Sequence, residues 1–304
     1  MSGGFFDLPA GRVLGGRYRI ERRLAAGGMA AVFEASIVGL GRRVALKTLH
    51  PRLSEDRRSI ERLRREALTV AGLQHPNIVQ IIDFRDAPEE PVFLVMELLE
   101  GRTLFDIVQA DGPLPWPRVA GIARQLLAGL AVTHEAGLLH RDLKPANVFI
   151  LPLGGGGDLV KLLDFGLAAV REGPGFEKLT RTGVVVGTPA YMAPEQARGD
   201  RIDRRADLYG AGAVLWAALA GRRPFEGRTA GEVLVKVVGE APPPLLQLRP
   251  DLPPAVAAVV ERAIAKRPDD RFPDAASMAA ALAAVEAGGV GGEADAFPAS
   301  LVAE

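Results

Sequence analysis

Short runs in the first third of the chain have the alternating or continuously apolar patterns that are typical of β-strands. These runs cover residues 18–24, 32–36, 44–47 and 92–97. Between the third run and the fourth, from about residue 56 to residue 73, the apolar positions recur instead with the period of a helix, at Ile60, Leu63, Ala67, Val70 and Leu73. The pattern therefore predicts a series of strands that is interrupted by one amphipathic helix.

The remainder of the chain has mainly helical patterns. Residues 103–110 and 117–136 predict two helices, and residues 275–287 predict the last one. The longest apolar run, residues 208–220, is too short to span a bilayer, which needs about 20 residues, so we expect a helix buried in the core. We interpret the Pro-rich residues 242–254 as a connection between helices and not as a domain boundary.

Both ends of the chain lack periodicity. Residues 1–16 are rich in glycine, and we expect them to form a flexible N-terminal arm. Residues 288–304 are rich in glycine and slightly acidic, which is typical of a disordered tail. Residues 1–7 have no basic start that leads into an apolar run, so no signal peptide is visible and we expect a cytoplasmic protein.

Composition excludes several classes of function. The chain has 304 residues, of which 48% are hydrophobic and 24% charged, an ordinary balance for a globular protein. Basic and acidic residues number 37 each, so net charge gives no support to a nucleic-acid partner. The absence of cysteine excludes disulfides, thiolate chemistry and cysteine-ligated metals.

The strongest candidate for chemistry is the polar stretch at residues 140–147, which lies between an apolar helix end and a predicted strand. A carboxylate such as Asp142 can orient a hydroxyl and accept its proton, and Lys144 can neutralise a phosphoryl oxygen. The carbonyl oxygen of Asn147 is suited to a hard cation such as Mg²⁺. Asp164, which follows the next short strand, would supply a second oxygen ligand.

Two weaker signals precede this stretch. Residues 25–32 read as a tight, Gly-containing turn that could approach a phosphate, although an ordinary hairpin turn fits equally well. Lys47 ends an apolar strand and would more often extend into solvent. Glu66 adjoins the apolar stripe of the predicted helix and could face inward toward Lys47, or it could be an ordinary solvated glutamate.

The glycine turn, Lys47, residues 140–147 and Asp164-Phe165-Gly166 follow one another along the chain and, in this order, resemble the motifs of the eukaryotic-type, or Hanks-type, protein serine/threonine kinases. The sequence at residues 75–79 is similar to that of the bacterial branch. The resemblance covers residues 17–285 and implies an α+β, bilobal protein-kinase fold over residues 17–287. The small lobe would be a twisted antiparallel sheet with one helix (residues 17–97), and the large lobe would be mainly helical (residues 98–287).

The resemblance also implies a role for each matched residue. Asp142 and Lys144 would be catalytic, and Asn147 and Asp164 would hold Mg²⁺ or Mn²⁺. ATP would lie between the lobes, with Met96 behind the adenine. The residues that would contact ATP are Leu24, Ala25, Ala26, Gly27, Gly28, Val32, Ala45, Lys47, Glu66, Met96, Glu97 and Leu99. The chain departs from the family pattern at Ala25 and Ala30, where glycines are expected, and Ala25 could hold the turn away from the phosphates.

Residues 167–192 have little periodicity and resemble the activation segment of the family, which provides a platform for a peptide. A phosphate on Thr180 or Thr182 would supply the anion that a cation at Arg141 requires, so we expect autophosphorylation there. The resemblance further implies that Asp207 anchors the backbone of the catalytic loop and that Arg271 pairs with Glu195.

The resemblance predicts a protein serine/threonine kinase of bacterial signalling, with ATP and protein substrates as its partners. Autophosphorylation in trans would require a homodimer. Two alternatives remain open: a pseudokinase scaffold that binds ATP without catalysis, for which Ala25 is the only argument, and a small-molecule phosphotransferase, against which residues 187–195 argue.

Overall fold

The computed structural model describes residues 8–27, 30–50, 56–87, 89–165 and 189–288. It has two lobes, an antiparallel sheet with one helix and a mainly helical part, so the predicted α+β kinase fold is confirmed. The first sheet has the order β1-β2-β3-β4-β6-β5 and consists of β1 (Val13–Leu14), β2 (Tyr18–Ala26), β3 (Ala30–Ile37), β4 (Arg43–Leu49), β5 (Ile81–Arg85) and β6 (Phe93–Glu97). A smaller sheet joins β7 (Arg102–Thr103), β8 (Val148–Pro152) and β9 (Asp158–Leu162).

Helix α1 belongs to the first lobe, and the other helices of the described residues belong to the second. They are α1 (Arg57–Gly72), α2 (Leu104–Asp111), α3 (Trp116–Glu135), α4 (Pro194–Arg198), α5 (Arg204–Ala220), α6 (Ala230–Gly239), α7 (Leu245–Leu248), α8 (Pro254–Ala263) and α9 (Ala275–Gly288). Short 3-10 turns lie at Pro145–Asn147, Pro189–Tyr191 and Pro268–Asp270. In the part of the chain that the structure describes, no helix combines the length and the apolar character that a membrane span requires.

Helix α1 begins and ends close to where its apolar period predicts. The side chain of Asp56 accepts a hydrogen bond from the backbone N–H of Arg58 and so caps the first turn. Ala67 and Val70, on the inward face of α1, belong to the same apolar core as the large-lobe helices, and α1 also packs against strand β5 of the small lobe. A separate core lies within the first sheet around Tyr18, Phe33 and Phe93. Helix α1 therefore connects the two lobes.

The prediction of an irregular arm over residues 1–16 is wrong for the part that the structure describes. Val13 and Leu14 pair with Arg19 and Tyr18 as strand β1, and Leu14 is fully buried. Glu90 accepts a hydrogen bond from the backbone N–H of Gly15 at 2.8 Å. A strand of two residues is too short to produce a period in the sequence. Gly15 and Gly16 form the turn that joins β1 to β2. Residues 1–7 and 289–304 lie outside the described residues.

Helix α5 is the buried helix that the apolar run predicts, and small residues let it approach its neighbours closely. A Cβ atom on Gly210 would lie 2.9 Å from the Cβ atom of Leu143 in the catalytic loop, and one on Gly212 would lie 2.7 Å from that of Ala263. Glycine therefore allows α5 to pack directly beneath the loop at residues 140–147. This contact brings Asp207, in the first turn of α5, within reach of that loop.

Candidate active site

The hairpin of β8 and β9 places the two predicted metal ligands side by side. Val148, at the start of β8, pairs with Leu162, at the end of β9. Asn147 directly precedes this pair and Leu163 follows it, and the backbone N–H of Leu163 donates to the carbonyl oxygen of Asn147 at 2.9 Å. Because the strands are antiparallel, Asn147 and Asp164 extend from the same end of the hairpin.

The backbone at the start of the catalytic loop is held by one buried carboxylate. Asp207 accepts hydrogen bonds from the backbone N–H of His140 (2.8 Å) and of Arg141 (2.7 Å), so its predicted anchoring role is confirmed. Arg141 has φ of 61°, which costs a non-glycine residue about 1–3 kcal/mol. Two hydrogen bonds to a carboxylate, at about 1.5–3 kcal/mol each, are sufficient to offset that strain.

His134 supports this anchor, and sequence reasoning missed it. Its Nε2 lies 2.8 Å from Oδ2 of Asp207, the same oxygen that accepts from His140. His134 lies near the end of α3, where it has no distinguishing sequence signal other than being one of four histidines. Its contact joins residues 73 positions apart, so only the packing of α3 on α5 reveals it.

Asp142 is held by hydrogen bonds from Lys144 and Asn147 of the same loop. Oδ2 of Asp142 lies 2.8 Å from Nζ of Lys144 and 3.1 Å from Nδ2 of Asn147. Nδ2 of Asn147 also donates to the backbone carbonyl oxygen of Asp142 at 2.7 Å. These bonds use the amide nitrogen of Asn147, which leaves its carbonyl oxygen as the atom suited to a cation.

His140 joins the catalytic loop to the segment that carries Asp164. Its Nε2 lies 2.8 Å from the carbonyl oxygen of Leu163, and its ring centroid lies 4.6 Å from that of Phe165 in an edge-on arrangement. His140 is fully buried. Asp164 has φ of 65°, so this site includes two non-glycine residues in the left-handed region, Arg141 and Asp164. Such local strain is typical of functional sites.

Lys47 faces the same centre from the other lobe. It lies within β4 and is 7% exposed, so the alternative of a lysine that extends into solvent is wrong. Its Nζ lies 2.6 Å from Oδ1 of Asp164. Glu66, the predicted partner of Lys47, lies half-buried on α1 beside the buried Ala67. The ion pair that the structure records for Lys47 is thus with Asp164, and the pairing with Glu66 stays a prediction.

Four of the predicted nucleotide-binding residues belong to one apolar cluster that includes residues of both lobes. Ala45 and Met96 are buried neighbours, and Val32 and Leu99 pack against them. The same cluster includes Val79, Leu98 and Leu163, of which sequence reasoning named none as contacts of the base. Val79 joins the cluster because its backbone N–H bonds to the carbonyl oxygen of Leu162. The cluster provides the apolar walls that a flat base requires.

The glycine turn adjoins this cluster through Val32. Ala25 and Ala26 belong to β2, where they pair with Val32 and Ala31, and Leu24 is 39% exposed. The backbone N–H of Gly27 donates to the carbonyl oxygen of Ala30 at 2.9 Å, whereas Gly28 lies outside the described residues. Ala25 is not among the positive-φ residues of the described chain, so its backbone does not require glycine.

Glu97, at the end of β6, is fixed from two sides. Its carboxylate accepts hydrogen bonds from Nζ of Lys161 (2.7 Å) and from the backbone N–H of Gln80 (2.8 Å). Its own backbone N–H donates to the carbonyl oxygen of Gln80 at 3.0 Å. The end of β6, where the chain leaves the small lobe, is therefore tied to β9 and to the segment before β5.

The segment beyond residue 188 is attached to the large lobe and to the catalytic loop. Arg271 and Glu195 form a buried two-pronged ion pair with distances of 2.6 and 2.7 Å, which confirms the predicted pair. Gln196 donates from Nε2 to the carbonyl oxygen of Arg141 at 2.9 Å, a contact that sequence reasoning missed. The predicted phosphorylation sites Thr180 and Thr182 lie outside the described residues.

The donor set of this centre suits a metal ion that is shared with a phosphate ligand. Over the described ranges, no group of three or more His, Asp or Glu side chains could hold a metal ion by itself. Mg²⁺ is commonly held by one or two protein oxygens together with waters and phosphate oxygens. The carboxylate of Asp164 and the amide oxygen of Asn147 fit that pattern.

Comparison with known proteins agrees with this geometry. A serine/threonine-protein kinase of Myxococcus xanthus, pkn3, is 40% identical over 286 residues, which cover 92% of this chain and 52% of that protein. The kinase PknA of Mycobacterium tuberculosis is 42% identical over 283 residues, 91% of this chain and 63% of PknA. The chain thus spans about half to two thirds of the length of these curated relatives.

Solved structures give the same result. The PknI kinase domain of Mycobacterium tuberculosis superposes with a TM-score of 0.74 at 28% identity, covering 92% of this chain and 99% of that one. Rad53 in complex with AMP-PNP superposes with a TM-score of 0.70 at 26% identity, over 86% of this chain and 64% of that one. Residues 18–280 match the family described as protein kinase domain. The chain therefore belongs to the protein kinase family, and its relatives identify the bacterial Hanks-type serine/threonine branch.

Proposed function

We propose that this chain transfers the γ-phosphoryl group of ATP to serine or threonine hydroxyls of protein substrates. The observation that carries the proposal is the position of Asp142, which is bonded to Lys144 and Asn147. Asn147 and Leu163, the residue before Asp164, are joined by a backbone hydrogen bond. One loop thus combines a carboxylate for the acceptor hydroxyl, a cation for the transferred group and oxygens for a metal.

In this proposal Asp142 orients the acceptor hydroxyl and takes its proton as the phosphoryl group arrives. Nζ of Lys144, 2.8 Å from Asp142, keeps that carboxylate in place and neutralises an oxygen of the transferred group. The anchoring of residues 140 and 141 by Asp207 fixes the loop before the substrate binds. The protein therefore contributes mainly positioning and charge, which is what phosphoryl transfer requires.

The base of the nucleotide would pack against the apolar cluster around Ala45 and Met96, with its phosphates directed toward Lys47. Lys47 already faces Asp164, so the two would share the phosphates and their cation. Asn147 and Asp164 would hold Mg²⁺ or Mn²⁺, which when bound neutralises charge on the phosphate oxygens. The neighbour Rad53 was solved with AMP-PNP, an observation that supports a nucleotide in this cleft.

Two rival functions have less support. A pseudokinase scaffold rested on Ala25, but Ala25 lies in a paired strand position that accommodates alanine. The relatives compared above carry the name serine/threonine-protein kinase. A small-molecule phosphotransferase does not require the attachment of residues 189–196 to the catalytic loop through Gln196. That attachment supports a protein substrate.

One experiment separates these three functions. The purified chain would be incubated with Mg²⁺ and ATP labelled at the γ-phosphate, in parallel with a generic basic protein and with a mixture of small hydroxylated and amino-sugar acceptors. We expect label on serine and threonine of the protein. Label on a small acceptor alone would favour the phosphotransferase, and binding of ATP without any transfer would favour the scaffold.

Regulation of this activity is part of the proposal. We place autophosphorylation at Thr180, Thr182 or both, since a phosphate there would supply negative charge beside Arg141. A second copy of the chain would carry out this reaction in trans, which requires a transient homodimer.

A further inference from the structure

A groove of about 580 Å³ lies beside the segment that follows residue 188. One wall is formed by Pro189 and Ala190, and the other by the turn that joins α5 to α6. Phe225 and Val233, both nearly buried, form its apolar base. The base and walls give a binding surface that is shaped before any ligand arrives.

Hydrogen bonds of Gln196 join one wall of the groove to the loop that carries the proposed catalytic base. Pro189 and Ala190 continue into Ala193, whose backbone N–H bonds to the side chain of Gln196. The same side chain donates to the carbonyl oxygen of Arg141, the residue before Asp142. The segment that forms one wall of the groove is thus bonded, through Gln196, to the loop that carries Asp142.

The charges on the rim of the groove are unbalanced. Arg228 is paired with Glu232, whose carboxylate also accepts the backbone N–H of Arg228 at 2.7 Å. Arg222 and Arg223 are exposed and form no salt bridge with any residue in the described ranges, and one acidic residue, Glu226, remains opposite them. After internal pairing, the rim has two cations and one anion, which complements an acidic ligand.

These two arginines extend from a rigid turn. Gly221, the residue before Arg222, has φ of 71°, and a Cβ atom there would lie 2.7 Å from the ring of Pro113. Pro224 and Phe225, directly after Arg223, are buried. Burial raises the pKa of Tyr191 to about 12, and the nearby guanidinium of Arg223 opposes part of that rise, so Arg223 lies close to the wall of the groove. A fixed backbone lowers the entropic cost of binding.

We propose that Arg222 and Arg223 select protein substrates that carry acidic side chains close to the acceptor serine or threonine. The inference rests on the proposed protein kinase activity and assigns a substrate class to it. An exposed ion pair contributes little free energy, so we expect each arginine to change kcat/KM only a few-fold. The two together would raise kcat/KM for an acidic peptide about three- to tenfold over a neutral one.

The test uses the whole chain and a set of peptides that share one threonine. In each peptide a pair of glutamates occupies a different position before or after the threonine, and a parent peptide has glutamines instead. We expect at least one glutamate position to increase kcat/KM about three- to tenfold at low salt, with the increase falling as salt rises. Equal kcat/KM for all acidic peptides and the parent would overturn the inference.

Substitution assigns the effect to the two arginines. Arg222→Gln with Arg223→Gln should abolish the preference, so that the acidic peptides and the parent peptide are phosphorylated with equal kcat/KM. The same charge change on the small lobe, Arg12→Gln with Arg19→Gln, is the matched control, since both of those side chains are exposed. It should keep the preference. An acidic preference that survives loss of Arg222 and Arg223 would also overturn the inference.

A charge-reversed variant keeps the test decisive. Arg222→Glu with Arg223→Glu should turn the preference toward peptides with lysine pairs. If no peptide is phosphorylated by the unaltered chain, the proposed kinase activity itself has failed. If the parent peptide is phosphorylated and charge has no effect, the failure concerns only the substrate class.

Discussion

Asp207→Asn changes one atom in the support of the catalytic loop. The two carboxylate oxygens of Asp207 accept from the backbone N–H groups of His140 and Arg141, and from His134. An asparagine retains one oxygen and replaces the other with an NH₂ group, which cannot accept from an N–H. One buried backbone N–H therefore loses its partner while the shape of the side chain is nearly unchanged.

The lost hydrogen bond sets the size of the expected fall in kcat. An unsatisfied buried N–H costs about 1–3 kcal/mol, and Arg141, with φ of 61°, loses part of what offsets its strain. If the loop must adopt this geometry for chemistry, the cost appears in kcat as a fall of roughly five- to 150-fold. The KM for ATP should stay within about twofold, because Asp207 does not belong to the apolar cluster around Ala45 and Met96.

The assay is steady-state phosphorylation of a peptide at saturating ATP, together with thermal unfolding of each variant. Asp203→Asn is the matched control, since Asp203 caps the same helix α5 without contacting the catalytic loop, and asparagine is an equally good cap. The control should keep its kcat. An unchanged kcat in Asp207→Asn, or an equal fall in Asp203→Asn, would refute the anchoring argument.

Three further predictions concern the nucleotide and the regulatory segment. Asp164→Ala removes a metal ligand that is not a core group, so phosphoryl transfer should be lost with Tm nearly unchanged, and normal turnover in this variant would contradict the assignment. Ala25→Gly should change ATP affinity by no more than about 0.5–1 kcal/mol, measured by calorimetry, because Ala25 occupies an ordinary extended position. Alanine at both Thr180 and Thr182 should lower activity at least about tenfold, and mass spectrometry of the unaltered chain should find phosphate there. An unmodified segment in a fully active enzyme would rule out that mode of activation.

Helices and site residues could be predicted from the sequence where a long apolar period or a dense polar motif marks them. The apolar stripe of residues 57–72 predicts helix α1 almost to its ends, and the polar motif at residues 140–147 selects side chains that are bonded to one another in the structure. Strand β1 was missed because two residues carry no period, although burial of Leu14 and the partner strand β2 stabilise it.

Other parts of the site depend on contacts between distant residues. His134, Gln196 and Val79 have ordinary local surroundings in the sequence, and their roles arise from bonds to Asp207, Arg141 and Leu162 across 55 or more positions. A single sequence contains no period that marks such contacts. The ion pair between Lys47 and Asp164 is likewise a property of how the two lobes meet.

The most direct test of the account is single-turnover phosphoryl transfer by Asp142→Asn, with ATP affinity measured on the same protein. Asparagine keeps an oxygen for Lys144 but cannot take a proton from the acceptor hydroxyl. The account predicts that transfer to a peptide falls by about two to four powers of ten, the usual contribution of a general base, while ATP affinity and Tm stay near those of the unaltered chain. Transfer at an undiminished rate would contradict the assignment of Asp142 as the base.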